Sequence, residues 1–255
     1  MPTAFITGAT AGIGAAFARR LASDGFDLVL LARDTARLDE AAAGLRDRYR
    51  VRAETLTADL ATEEGLAAAE ERVRKDVDLL VNNAGFGNRG VFLDVPVSDE
   101  LTMLKVHCEA VLRLTHAVLP GMLERGRGGV VNVSSVAAFA TRGTYGASKS
   151  WVVGFSQGVA ADIAARSGGR VRVMALCPGF VHTEFHERAR MDMSDVPGFM
   201  WLDKDAVVDA GLRDLRRGAR VSVPGVQYKA IVGLTRLVPQ GLVARLSSKR
   251  GRRYD

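Results

Sequence analysis

The sequence predicts an α/β fold: a doubly wound parallel sheet of about seven strands with helices on both faces. Three observations predict it. Short apolar runs rich in Val, Leu and Ile alternate with longer segments of helical period. Several of these runs lack polar alternation, as strands covered on both faces require. A glycine-rich turn joins the first run to the first helical segment, where a βαβ unit would carry it.

Taken in order, the runs at residues 4–7, 27–32, 51–57, 77–81, 129–134 and 171–176 read as buried strands. Helical patterns lie between them, at about 13–24, 35–49, 62–75, 98–124 and 144–167. Ser98-Asp99-Glu100 and Thr62-Glu63-Glu64 each place a cap and two acids at a helix's positive end. After Pro178 the rhythm changes. Residues 184–202 scatter Phe185, Met191, Met193, Phe199, Met200 and Trp201 among charges, and 184–218 reads as a substrate lid region. These side chains serve equally well as core filler. A helix at about 204–217 ends at Gly218 and a strand follows at 220–223, the seventh. An apolar, basic helix from about 226 to 238 leads into a basic tail ending at residue 255. No second core is visible, so the 255 residues read as a single domain.

Composition narrows the function classes. A chain 47% hydrophobic and 25% charged is not disordered. The two cysteines, Cys108 and Cys177, fall in apolar periodic segments and do not make a disulfide framework, which suits a reducing, cytoplasmic setting. The N-terminus enters a strand at once, leaving no room for a signal peptide, and no apolar run approaches the roughly 20 residues that span a bilayer. The net charge of +6 sits unevenly: residues 211–255 hold eleven Lys/Arg against two Asp/Glu, and the body is net negative. That argues against nucleic acid as a partner and for a solvated basic tail. Contact of the basic C-terminal segment with an acidic membrane surface or an acidic partner is the alternative.

Three local patterns carry chemistry. The first strand ends in T-G-A-T-A-G-I-G, residues 7–14. Gly8, Gly12 and Gly14 permit a tight turn and close backbone approach, and the helix N-terminus then faces a phosphate. At the end of the second strand stand Arg33 and Asp34, with Arg37 one turn on. Two guanidinium groups suit a 2′-phosphate, favouring NADP(H) over NAD(H), though Asp34 pulls the other way. Tyr145 and Lys149 lie four apart, on one face of a helix. An ammonium one turn away would favour phenolate and draw the phenol down from about 10 toward neutrality. By spacing alone, a tyrosine capping the core beside a solvated lysine fits as well.

The T-G-A-T-A-G-I-G turn, N-N-A-G at 82–85, V-S-S at 133–135, Y-G-A-S-K at 145–149 and P-G-F-V-H-T at 178–183 occur in that order. Together they resemble the short-chain dehydrogenase/reductase family, over about the first 185 residues. The resemblance implies a Rossmann-type sheet and hydride transfer between a nicotinamide and a carbonyl or secondary alcohol. It assigns Tyr145 as acid/base, Lys149 as its tuner and the ligand of the nicotinamide ribose, and Ser135 as partner of the substrate oxygen, with Ser134 the competitor. For the cofactor it implies Gly8, Thr10, Gly12, Ile13 and Gly14 around the phosphates. Asp59 and Leu60 would contact the adenine. Asn83, Ala84 and Gly85 would stabilise the sheet's edge and lie against the adenosine. Pro178, Gly179, Val181 and Thr183 would sit at the nicotinamide. A homodimer through the two long helices, with Trp151 and Phe155 on its surface, is implied by the likeness alone. The lid composition points to a mostly apolar carbonyl or alcohol substrate.

Two departures stand out. His107 occupies a position where the family pattern usually has an asparagine associated with a proton relay. It is either a substituted relay or a buried histidine satisfied by a neighbouring carbonyl. The stretch from Ser135 to Tyr145 is a few residues shorter than the family commonly shows. These departures motivate the alternative of a catalytically weak NADPH-binding sensor or assembly subunit. His182 and His186 have a zinc-compatible spacing but lack further ligands, so no metal is expected.

Overall fold

The computed structural model describes residues 1–88, 90–140, 143–183 and 196–235. Seven strands form one parallel sheet: β1 (Thr3–Thr7), β2 (Asp27–Ala32), β3 (Ala53–Thr57), β4 (Leu79–Asn82), β5 (Gly128–Val133), β6 (Val171–Leu176) and β9 (Val221–Ser222). Their order is β3-β2-β1-β4-β5-β6-β9, so the winding reverses between β1 and β4. A two-stranded parallel ribbon pairs β7 (Phe180–Val181) with β8 (Trp201–Leu202).

Alternate strand residues feed opposite layers. Ala4, Ile6, Leu28, Leu30, Val81 and Leu176 face α1 (Gly12–Ser23), α2 (Thr35–Tyr49) and, numbered in chain order, α7 (Lys204–Arg216). Phe5, Val29, Leu31, Leu80, Val130 and Val173 face α3 (Glu63–Val73), α5 (Ala110–Glu124) and α6 (Gly143–Ser167). The continuous apolar runs read from the sequence are thus strands buried on both faces.

The segment expected as one helix over 98–124 is three pieces. α4 (Val97–Leu104) passes into a π-helical turn, Lys105–Glu109, and then into α5. The wider turn carries His107 into the interior, 1% exposed. Ser98 is not the cap: Pro96 holds that position, and Ser98 sits inside the first turn, where its carbonyl accepts from the Thr102 hydroxyl at 2.8 Å. Thr62 does cap α3, accepting the Gly65 N–H at 3.1 Å. The last helix, α8, runs Val226–Thr235, and the expected continuation to 238 and the basic tail lie outside the described residues. Residues 184–195 of the expected lid, with His186, also lie outside them. Among the described residues no helix is long and apolar enough to cross a membrane.

Arg113 on α5 holds α3 in place through Glu63 at 2.8 Å and Glu70 at 2.7 Å, and reaches Glu109 at 3.2 Å. Its hydrogen bonds draw the Glu63 and Glu70 carboxyls below their ordinary range. Lowered carboxylate values contribute stability above the unfolded-state value and lose it as pH falls through the folded one. Arg113→Ala is therefore expected to lower the melting temperature by a few degrees at neutral pH. The deficit should shrink in acid, as thermal melts across pH would show.

Candidate active site

The crevice opens at the carboxyl ends of β1 and β4, where ligands bind in such sheets. Its floor is held by Thr7, whose hydroxyl accepts the Asn83 and Ala84 N–H groups, each at 2.9 Å. Asn83 Nδ2 donates to the carbonyls of Thr7 at 2.9 Å and Gly8 at 3.2 Å. Asn83 and Ala84 thus lock the two turns at the centre of the sheet, not at its edge as expected, because β1 and β4 are central strands. Gly85 follows, exposed, its backbone close to His107 and Lys149.

The glycine turn fits a dinucleotide's diphosphate. A Cβ on Gly14 would stand 2.2 Å from the Gly8 carbonyl oxygen and 2.5 Å from Asn83 Nδ2, so the helix can start this close only with glycine there. Asp34, Thr62 and Asp203 cap α2, α3 and α7 with side-chain oxygens. α1 has Ala11 at its cap, no side-chain cap bond and no acid in its first turn. Its unpaired N–H groups and positive end are left for an anion. Thr10 lies partly exposed in this turn, while Ile13 packs against the core.

Arg33 and Arg37 are both exposed, at the end of β2 and in the first turn of α2. Asp34 is occupied as the α2 cap, accepting the Arg37 N–H at 3.1 Å. Asp59 lies 4.0 Å from Arg33 Nη1 and accepts the Ala61 N–H at 3.0 Å. The Leu60 side chain is buried in the core, which leaves its backbone for any adenine contact.

Beyond β5 the two serines part company. Ser134, 3% exposed, donates to the Lys149 carbonyl at 2.8 Å. Ser135 is partly exposed, caps the 3₁₀ turn Val136–Phe139, and shares a hydrogen bond with the Tyr145 phenol.

In the cofactor-free site burial dominates the acidity of the phenol. Burial pushes Tyr145 up to about 12, and the opposing pull is the Ser135 hydrogen bond, not the Lys149 charge. Burial also lowers Lys149 to about 8. The ammonium donates to the Val133 carbonyl at 3.1 Å and lies 5.8 Å from the Tyr145 ring centre. One helical turn therefore sets the pair on a shared face, but the lysine nitrogen is turned toward the end of β5.

His107 has both ring nitrogens engaged. Nε2 accepts the Phe86 N–H at 3.1 Å, which places the proton on Nδ1, 2.9 Å from the Ser148 hydroxyl. Ser148 in turn donates to the Tyr145 carbonyl at 2.8 Å. Burial and the neighbouring Lys149 charge hold His107 neutral, well below 6.5. The partner is a backbone N–H and a hydroxyl, not the expected carbonyl.

Pro178 accepts the Val136 N–H at 2.9 Å, joining its loop to the serine turn. Val181 is buried in β7, and the Thr183 methyl lies against Gly12, 3.1 Å from where a Cβ would stand. The loop after β6 thus meets the glycine turn across the crevice. His182 stacks on Trp201 at 4.4 Å between ring centres.

Sequence reasoning missed a buried polar network beneath the site. Asn82 Nδ2 donates to Asn132 Oδ1 at 2.8 Å, and Asn132 Nδ2 to the Ser156 hydroxyl at 3.0 Å. An asparagine interrupting each of two apolar strands was the available signal, since buried amides need partners.

The family model described as short chain dehydrogenase matches residues 2–194. The chain belongs to the short-chain dehydrogenase family. Within this oxidoreductase family it is similar to serine 3-dehydrogenase of Agrobacterium fabrum (strain C58 / ATCC 33970), 37% identical over 72% of this chain and 73% of that protein. Among solved structures, a short-chain dehydrogenase from Sphingobium yanoikuyae in complex with NADPH is 37% identical and covers 96% of both chains, with a TM-score of 0.84. The bulky-bulky ketone specific alcohol dehydrogenase from Comamonas testosteroni is 31% identical, covers 94% of this chain and 96% of that one, and gives a TM-score of 0.79.

Proposed function

We propose that this short-chain dehydrogenase is a cytoplasmic NADP(H)-dependent enzyme that interconverts a ketone or aldehyde with an alcohol, on a mostly apolar substrate. The observation that carries the reading is the grouping of the Ser135 hydroxyl with the Tyr145 phenol, with Lys149 Nζ 5.8 Å from that ring's centre and bonded to the end of β5. NADPH, when bound, supplies the hydride. Ser135 donates to the substrate oxygen as charge develops there. Tyr145 hands its proton to that oxygen in reduction and takes it back in oxidation. Lys149 holds the ribose hydroxyls and offsets negative charge on the phenolate once formed. Gly8, Thr10, Gly12, Ile13 and Gly14 hold the diphosphate on the α1 N-terminus. Asp59, Leu60, Asn83, Ala84 and Gly85 flank the adenosine, and Pro178, Gly179, Val181 and Thr183 the nicotinamide.

The solved relative with NADPH and the exposed Arg33 and Arg37 support the choice of phosphate-bearing cofactor. Replacing both arginines with alanine should lower the NADPH-over-NADH affinity ratio about tenfold or more, with NADH binding little changed, as fluorescence titration would show. The relatives' names span serine and bulky ketones, so the apolar preference rests on Trp201, which pairs with Phe180 of the crevice loop. A panel of ketones and aldehydes assayed for NADPH oxidation tests the whole reading. NADPH binding without turnover on any of them would favour a sensor instead. Exposed Leu112 on α5 and the stacked Trp151–Phe155 pair on α6 support a second copy packing there.

A further inference from the structure

Tyr228 carries no expectation from the sequence, yet it is 2% exposed and makes contacts on three sides. Its hydroxyl accepts the Phe180 N–H at 2.9 Å and donates to the Met200 carbonyl at 2.6 Å. Its ring lies flat against Gly179: a Cβ there would stand 2.0 Å from Cζ and 2.1 Å from Cε2. Phe180 and Met200 belong to the two chain segments that pair as the β7–β8 ribbon, on either side of 184–195. Next to it, Gln227 Nε2 donates to the Phe199 carbonyl at 3.1 Å. One side chain of α8 therefore fastens both sides of the β7–β8 ribbon.

We infer that Tyr228 is a positioning residue that fixes the Pro178–Val181 loop for the nicotinamide end of the cofactor and makes the last described helix part of the cofactor site. This rests on the proposed NADP(H) reading. The chain of contacts is short. Tyr228 holds Gly179 and Phe180, Pro178 is tied to the serine turn through Val136, and Thr183 reaches Gly12. Freeing the loop at Tyr228 lets the nicotinamide wall move while the glycine turn and the Ser135–Tyr145 pair stay in place. It also gives Gly179 a physical reason: the ring leaves no volume for any side chain there.

The test compares wild type, Tyr228→Phe and Gly179→Ala as full-length proteins. Tyr228→Phe keeps the ring and removes two hydrogen bonds. Its KM for NADPH should rise about tenfold while kcat at saturating NADPH changes less than about threefold. Gly179→Ala should act in the same direction, and the two effects should be less than additive because they open one contact. Hydrogen exchange without cofactor should speed up at residues 178–181 in Tyr228→Phe and stay unchanged at residues 7–14. An unchanged KM for NADPH accompanied only by a lower melting temperature would overturn the inference, since packing alone would account for it. So would unaltered exchange at 178–181. Failure of wild type to bind NADPH would overturn the cofactor reading itself, while the exchange result would still decide whether Tyr228 restrains the loop.

Discussion

Tyr145→Phe is expected to lower kcat for carbonyl reduction by about 10²–10⁴-fold, the range for loss of a positioned proton donor. NADPH affinity should stay within about twofold, because the ring keeps its place between His107, at 5.7 Å between centres, and the Lys149 face. The phenol, held up at about 12, stays protonated through the working range and is set up to donate. Oxidation needs the proton drawn off the phenol, and the positive nicotinamide of NADP⁺ is the group that would favour phenolate. Steady-state kinetics in both directions check this. Equal loss of NADPH binding and turnover in the variant would contradict a purely chemical role for the hydroxyl.

Lys149→Met should abolish turnover and raise the melting temperature of the cofactor-free protein. The ammonium is 5% exposed and burial lowers it from 10.5 to about 8. Below that value the folded state carries a charge it disfavours, an effect of roughly 3 kcal/mol by the pKa-to-energy conversion. The sign follows: a lysine lowered on folding costs stability at neutral pH, and the cost fades as pH rises from about 8 toward the unfolded value of 10.5. Methionine keeps the aliphatic packing without the charge, so the gain should be largest at pH 7 and vanish in strong alkali. Thermal melts at several pH values measure it, and a lower melting temperature at pH 7 would contradict the buried-charge account. The same titration predicts that kcat/KM for reduction falls above pH of about 8 as Lys149 loses its proton. His107, already neutral well below 6.5, should add no second limb near there.

The site was legible where its signals are local. The Gly14 position could be read because a strand, a glycine turn and a helix follow one another in a dozen residues, and the helix N-terminus is built from those same atoms. Arg33 and Arg37 were legible as the first residues past a strand and one turn on. The choice between Ser134 and Ser135 was not. Neighbours on an extended strand point to opposite sides, and which side holds α6 depends on the crossover between them. Thr7 lay inside the quoted glycine motif, but its partners Asn83 and Ala84 stand across a separate βαβ unit. The π turn at Lys105–Glu109 left no mark on the helical period at all.

What the sequence by itself determined was the order of the main strands and helices, the glycine turn, the family motifs and the shared face of Tyr145 and Lys149. These follow from backbone period and residue type within short windows. Only the tertiary structure decided the proton affinities of Tyr145, Lys149 and His107, and the attachment of Tyr228 to Gly179. Burial raises or lowers a pKa according to which distant segments exclude water from the group, and no spacing along the chain records how completely they do so.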